Sequence, residues 1–312
     1  MPTFIETLPA STTDFFVGLE SMPFRSGARD AGNAWFCAEA AALAYKTSAF
    51  VRDFGARFQA EGWGVQVFEE DPTQAVLLTS GSAAVLTFRG TRLPGFPELL
   101  SQAPMNLRDL LTNLSFKLVR HPKGGKVHSG FLGAFSTFWN HHGKDILRAV
   151  DGRALYLAGH SLGAALAVLA THEIGNAVAL YTFGCPRIGD TAFQKAFADS
   201  GIAAFRFVHG YDIVSTVPLL ETGFEHIGEM IHIDLAGSLL ARMPQPTLWD
   251  SLRHNVSVFP SGFVSTTRHV FTGRLADFPN FPLAEDALVS HAPINYTRKL
   301  RAAAELSRAL PI

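Results

Sequence analysis

A serine set between two glycines, at the junction of two apolar runs, is the feature that most constrains the fold of this chain. Residues 159–163 read Gly-His-Ser-Leu-Gly, follow the apolar run 154–158 and precede the alanine-rich run 164–170. A sharp turn from a strand into a helix has no room for side chains beside the serine, so glycines flank it and its hydroxyl projects above the edge of a sheet. This pattern predicts that Ser161 is a nucleophile. The alternative is a glycine-rich helix start that Ser161 merely caps.

Strand and helix patterns alternate along much of the chain. The apolar runs 75–79 and 83–88 flank the turn-forming residues 80–82 and predict a hairpin. Periodicity and composition also predict strands at 154–158, 178–183 and 205–208, and helices at 35–50, 131–150, 191–198 and from Pro293 onward. This order is typical of parallel crossovers. We therefore predict an α/β fold with a mostly parallel central sheet covered by helices on both faces. No linker or repeat divides residues 1–312, so a single domain is expected.

Charge and apolar patterning exclude several classes of protein. The 26 Lys and Arg side chains nearly balance the 27 Asp and Glu side chains, so no basic surface for nucleic acid is expected. No run of residues predicts a transmembrane helix, and the Cys, His and acidic residues lack the spacing typical of a zinc site. We expect neither a metal nor another cofactor. The sequence does not indicate an oligomeric state.

The N-terminus and the cysteines bear on the cellular location. The first residues, Met-Pro-Thr-Phe-Ile-Glu, contain neither the basic region nor the apolar region of a secretory signal peptide. The two cysteines, Cys37 and Cys185, are too few for a disulfide framework and are expected to be reduced thiols in the core. These features favour a cytoplasmic location, or secretion by a route that needs no signal peptide.

A nucleophilic serine of this kind needs a carboxylate and then a histidine from later loops. Asp212 follows the predicted strand 205–208, whose carboxyl end would bring the side chain beside the serine. The alternative for Asp212 is an ordinary turn aspartate. Asp190, which we predict to cap the helix 191–198, and Asp234 are weaker candidates for the acid.

Five histidines follow the predicted acid, and their chemistry alone does not select the base. His291 precedes the predicted last helix, where a loop can carry an imidazole over the serine, and it is therefore the preferred base. His269 lies in a strand-like run, where a histidine is more often a packed or exposed strand residue. The other histidines in this part of the chain are His226, His232 and His254.

The oxyanion that forms during attack on a carbonyl needs two backbone N–H donors. One is expected from Leu162, the residue after the nucleophile, and the other from Thr91, in the segment 88–91 that ends an apolar strand. Gly90 would let the backbone approach closely there. The alternative is that these four residues are an ordinary strand end.

Taken together, these segments resemble the class 3 lipases, an α/β-hydrolase family that includes triacylglycerol lipases of filamentous fungi. The segments that carry the resemblance occur in family order at 88–91, 127–131, 159–167, 181–190 and 206–214. Beyond them the match is confined to residues 226–228 and 291–300. Ser290 stands where the family usually has Asp, so the assignment of the base depends on the position of His291 and on Tyr296.

The resemblance implies a serine carboxylic-ester hydrolase, and specifically a lipase that cleaves acylglycerol esters through an acyl-enzyme. The expected triad is Ser161, Asp212 and His291, and the substrate is a lipid or another ester, with transient contact at a lipid surface. The alternatives are a phospholipase A-type enzyme, a short-chain esterase, or a non-catalytic relative that serves as a binding module.

Two segments are expected to shape access to the serine. Residues 92–120 are rich in leucine and lie where fungal members of the family carry a lid. The alternative is a helix pair that packs permanently on the body of the protein, which the same sequence pattern would predict. Within this segment Leu93 and Phe96 are expected to bind substrate, as is His160 of the elbow. Residues 235–281 are longer than a compact member would need and form either an insertion around the acyl pocket or a covering layer.

Overall fold

A computed structural model describes residues 15–90, 117–218, 222–241 and 290–309. Its main feature is an eight-stranded sheet in the order β1-β2-β3-β6-β7-β8-β9-β10, beside a separate hairpin of β4 and β5. The strands are β1 Gly64–Glu70, β2 Thr73–Thr79, β3 Ala83–Phe88, β4 Leu118–Arg120, β5 Lys126–His128, β6 Ala154–His160, β7 Ala179–Phe183, β8 Ala203–His209, β9 Glu229–Ile233 and β10 Leu239–Ala241.

The middle of the sheet is parallel and its margins are antiparallel. Strands β3, β6, β7, β8 and β9 pair in parallel, whereas β1, β2 and β10 pair with their neighbours in antiparallel register. Strands β3, β6 and β7 are mostly apolar runs that are buried on both faces, as expected where helices cover a sheet on both sides. The predicted hairpin of β2 and β3 and the predicted mostly parallel α/β sheet are both confirmed.

Helices cover both faces of the sheet. One core contains side chains of α1, α2 and α6, and the core on the opposite face contains side chains of α3, α4 and α5. The helices are α1 Ala31–Leu43, α2 Ser48–Phe58, α3 Ser129–Val150, α4 Leu162–Ile174, α5 Thr191–Ala198 and α6 Pro293–Ala309. Helix α6, the last described element of the chain, packs against α1, the first.

The helix predicted over residues 35–50 is two helices in the structure. Asp30 caps α1, because its side chain accepts a hydrogen bond from the Asn33 N–H at 2.9 Å, and the helix therefore begins earlier than expected. Thr47 caps α2 in the same way by accepting from the Phe50 N–H at 3.3 Å. The apolar periodicity continues across both helices, whereas the caps set where each one begins.

The two cysteines are free thiols buried in different layers. Cys37 is a residue of α1 and lies in the core on one face of the sheet, and Cys185 lies in the core on the other face. Burial raises the pKa of both thiols, that of Cys185 to about 12. The expectation of reduced core thiols is confirmed.

Most of the two segments expected to control access falls outside the described residues. Only 117–120 of the lid-like segment 92–120 is described, mainly as β4, and only 235–241 of the segment 235–281, which includes β10. Within the described part of the chain, no helix combines the length and apolar character that crossing a bilayer requires.

We expect the central strands to dominate the stability of this fold. Leu157 on β6 has no solvent exposure, so Leu157→Ala should lower the free energy of unfolding by about 2–5 kcal/mol through lost burial and a residual cavity. Leu306 on α6 is 66% exposed, and Leu306→Ala should change that free energy by less than about 0.5 kcal/mol. Urea unfolding followed by circular dichroism measures both. Equal effects of the two variants would contradict this assignment of the core.

Candidate active site

Ser161 occupies a strained turn between β6 and α4. Its φ of 58° and ψ of −129° lie in a region that residues with a side chain rarely adopt. The Ser161 N–H donates to the Phe183 carbonyl on β7 at 3.0 Å, which ties the turn to the sheet. The Ser161 side chain makes no capping hydrogen bond to α4. The turn therefore has the geometry of a nucleophile elbow, and the capping alternative is not supported.

The two glycines of the elbow are required by close backbone contacts. A Cβ atom on Gly163 would lie 2.1 Å from the Phe88 carbonyl oxygen at the end of β3. A Cβ atom on Gly159 would lie 2.2 Å from the Gly163 carbonyl oxygen. Both distances are far below van der Waals contact, so β3, β6 and the start of α4 can meet in this way only without side chains at these positions.

Asp212 and His291 lie side by side at the carboxyl edge of the sheet. Asp212 follows β8, and its two carboxylate oxygens are 3.0 and 2.9 Å from Nδ1 of His291, which precedes α6. The Asp212 side chain is fully buried, whereas that of His291 is 12% exposed. The Tyr296 hydroxyl donates to Asp212 Oδ2 at 2.6 Å, and the Val214 N–H donates to Oδ1 at 2.9 Å.

The electrostatics of this pair favour an ionised carboxylate. Burial by itself raises the pKa of Asp212, but the charge of His291 and the hydrogen bonds from His291 and Tyr296 outweigh burial and hold that pKa below its ordinary value. An ionised Asp212 accepts from Nδ1–H of His291. The Nε2 atom of a neutral His291 is then free of its proton and can act as a base.

The other candidates for the acid and the base have different partners. Asp190 caps α5 by accepting from the Phe193 N–H at 2.9 Å, as predicted, and Asp234 accepts from the Ser238 N–H at 2.8 Å. His232 lies on β9, and His226 is half-buried near two arginines. His254 and His269 fall outside the described residues. Among the described residues, His291 is the histidine hydrogen bonded to Asp212.

The segment predicted to supply the oxyanion hole is described up to Gly90. Gly90 lies against the elbow, because a Cβ atom there would be 2.9 Å from the His160 carbonyl oxygen. Leu162 is the first residue of α4, where backbone N–H groups have no partner within the helix. Thr91, Leu93 and Phe96 fall outside the described residues, and their roles remain predictions.

His160, expected to bind substrate, lies inside the protein. Its residue is 2% exposed, Nδ1 is 2.7 Å from the Tyr45 hydroxyl, and Nε2 is 2.6 Å from the His291 carbonyl oxygen. Both ring nitrogens are therefore occupied by protein partners, which leaves no polar atom of the imidazole for a substrate. This placement is a correction to the expectation that His160 binds substrate, and it adds Tyr45, whose neighbours in the sequence do not associate it with the site.

No group of three or more His, Cys, Asp or Glu side chains is arranged to hold a metal ion within residues 15–90, 117–218, 222–241 and 290–309. What the described groups can do is activate a serine hydroxyl: a strained serine, a carboxylate and an imidazole lie along one edge of the sheet.

Gly184 provides a test of the Asp212–His291 contact. Its φ is +57°, and an added Cβ would lie 2.5 Å from Asp212 Oδ2 and 2.8 Å from His291 Nδ1. Gly184→Ala should therefore separate the pair and slow labelling of Ser161 by a fluorophosphonate by about 100-fold or more. Gly201→Ala is the control, because Gly201 has a similar φ of +70° but open space around the added atom. Equal labelling rates in the two variants would mean that the pair does not govern the reactivity of Ser161.

Comparisons with known proteins agree with this geometry. The family model described as lipase (class 3) matches residues 85–222. A lipase from Rhizomucor miehei is 34% identical over 137 residues, which are 40% of this chain and 38% of the relative. A secreted mono- and diacylglycerol lipase from Fusarium solani is 31% identical over 142 residues, which are 42% of this chain and 41% of the relative. The matches thus span well under half the length of these curated relatives.

A solved structure extends the similarity to the fold. Lipase II from Rhizopus niveus superimposes with a TM-score of 0.54 at 25% identity, covering 66% of this chain and 83% of that one. The mixed sheet described above, with its helical layers, is therefore an α/β-hydrolase fold.

The comparisons also correct the expected cellular location. Relatives such as the Fusarium solani lipase are described by name as secreted, which contradicts the expectation of a cytoplasmic protein. The expectation depended on a missing signal pattern and on the small number of cysteines, and neither feature excludes secretion.

The family match begins inside β3 and includes both Ser161 of the elbow and Asp212. Residues 85–222 of this chain thus match the class 3 lipase family in sequence.

Proposed function

We propose that this chain is a serine carboxylic-ester hydrolase, and specifically a lipase that cleaves acylglycerol esters through Ser161, Asp212 and His291. The observation that carries the proposal is the 2.9 Å contact between Asp212 Oδ2 and His291 Nδ1, at the same edge of the sheet as a serine held at a φ of 58°. The match of residues 85–222 to the class 3 lipase family supports the same reaction class.

In the proposed mechanism His291 acts first as base and then as acid. Its Nε2 takes the proton of the Ser161 hydroxyl as the oxygen attacks the ester carbonyl, and Asp212 stabilises the imidazolium that forms. The imidazolium gives that proton to the departing alkoxide, which leaves as an alcohol, and the acyl group stays bonded to the Ser161 oxygen as an acyl-enzyme. A water molecule, deprotonated by His291, then attacks the acyl carbon and releases the carboxylic acid and free serine.

The developing oxyanion would be bound by backbone N–H groups at the start of α4. The Leu162 amide is one proposed donor, and the helix N-terminus adds a favourable dipole. Thr91 is the second proposed donor. Gly90, the residue before it, supports this assignment because it lies against the elbow, where a Cβ atom would meet the His160 carbonyl at 2.9 Å.

The proposed substrate class is a long-chain acylglycerol at a lipid surface. The relatives named above as lipases, one of them for mono- and diacylglycerols, support this class. We propose transient contact with the lipid surface, with the leucine-rich segment 92–120 as a candidate lid and Leu93 and Phe96 as substrate contacts. Residues 235–281 would border the acyl pocket.

Hydrolysis of p-nitrophenyl esters with acyl chains from short to long tests the reaction and its specificity. The wild-type chain should prefer long chains. Ser161→Ala, Asp212→Asn and His291→Asn should each lower kcat by about 10³-fold or more, because each removes a member of one catalytic unit. Asp234→Asn and His232→Asn are matched controls outside the proposed triad and should retain activity within about twofold of the wild-type chain.

The results separate the alternatives. Preference for short chains would identify an esterase, and turnover of phospholipid but not of triacylglycerol in emulsions would identify a phospholipase. Folded wild-type protein that neither turns over these substrates nor reacts with a fluorophosphonate would contradict the proposal and favour a binding module. Full activity of His291→Asn would contradict the assignment of the base.

A further inference from the structure

Two side chains beneath the proposed site connect three of its loops. Gly90, in the proposed oxyanion segment 88–91, lies against the hydroxyl of Tyr45. That hydroxyl is 2.7 Å from Nδ1 of His160 in the elbow, and Nε2 of His160 is 2.6 Å from the carbonyl oxygen of His291. Tyr45 follows α1, so these contacts join four separate parts of the sequence, three of them by hydrogen bonds.

Each group in this chain of hydrogen bonds has only one possible role. The carbonyl of His291 can only accept, so Nε2 of His160 carries the hydrogen. A neutral imidazole has a single N–H, so Nδ1 accepts and the Tyr45 hydroxyl donates to it. Burial lowers the pKa of His160 to about 3, so the neutral imidazole that this pattern requires persists through the neutral range of pH.

Close contacts hold the backbone in place at both ends of this set of hydrogen bonds. A Cβ atom on Gly90 would lie 2.0 Å from the Tyr45 hydroxyl oxygen, so a residue with a side chain would displace one or the other. At the other end, the bond to the His291 carbonyl fixes the backbone of the residue whose imidazole contacts Asp212. The rings of His160 and His291 also lie close, with centroids 4.5 Å apart.

From this geometry we infer that Tyr45 and His160 are positioning residues for ester hydrolysis. They fix the oxyanion segment at Gly90 and the base at His291 at set distances from the elbow, and neither touches the reacting atoms. The inference rests on the proposed function. Loss of the Tyr45 hydroxyl should lower kcat, because it would let the catalytic groups shift, and a shift of about 1 Å can cost about 100-fold in rate.

Tyr45→Phe removes the central hydroxyl and keeps the ring. We expect kcat for a soluble p-nitrophenyl ester to fall by about 10- to 100-fold, with KM within about twofold of that of the wild-type chain. Tyr156→Phe is the matched control, because Tyr156 is a buried tyrosine whose hydroxyl likewise lies against a glycine away from the site, accepting from the Gly27 N–H at 3.1 Å. Its kcat should remain within about twofold of that of the wild-type chain.

Variants of His160 test the other end of the chain of hydrogen bonds. In His160→Gln the side-chain amide reaches as far as the lost Nε2 and can still donate to the His291 carbonyl, whereas the shorter Asn side chain of His160→Asn cannot. We therefore expect Gln to retain more of kcat than Asn. Because the two positions act as one unit, Tyr45→Phe combined with His160→Asn should lower kcat no further than the more damaging single change.

The outcomes distinguish this inference from the proposed function. Wild-type activity with equal kcat in Tyr45→Phe and Tyr156→Phe would overturn the inference alone. Losses that multiply in the double variant would also overturn it, because they would mean that the two side chains act independently. A folded wild-type chain without ester hydrolysis would overturn the proposed function and the inference together. If the His160 variants fail to fold, the pair of Tyr variants still decides.

Discussion

The contact of the Phe88 carbonyl with the backbone of Gly163 is the constraint on which the site depends. An added Cβ at Gly163 would lie 2.1 Å from that oxygen, so the end of β3 and the start of α4 meet backbone to backbone. The parallel pairing of β3 with β6 places Phe88 opposite Gly159 and sets this approach. Any side chain inserted here would push α4 away from the sheet and change the position of Ser161.

The strands and the elbow could be predicted from the sequence because their signals are local. The run before Ser161, the glycines on either side and the alanines after them fall within one strand–turn–helix unit. Asp212 could be predicted for the same reason, since it directly follows a buried strand. The helix over residues 35–50 was predicted with the wrong bounds, because apolar periodicity was followed and the capping signals of Asp30 and Thr47 were not.

The partners of the elbow could not be predicted in this way, since they depend on contacts between distant residues. Tyr45 and His160 are 115 residues apart, and His160 and His291 are 131 apart. Nothing near Tyr45 in the sequence marks its hydroxyl as a partner of the elbow. The choice of His291 among five histidines could be argued from its position before the last helix, but only packing of α6 against α1 brings it to Asp212. The expectation that His160 binds substrate is wrong because adjacency to Ser161 in the sequence does not fix the direction of the ring, which points into the protein.

The separation of the two thiols also has a consequence for how this protein can be handled and studied. Cys37 and Cys185 lie on opposite faces of the sheet, too deeply enclosed to pair with each other, so the fold does not depend on an oxidising environment. Because each buried thiol becomes reactive only when its own layer opens, the chain carries two built-in probes that report, under mild denaturation, which helical layer separates from the sheet first.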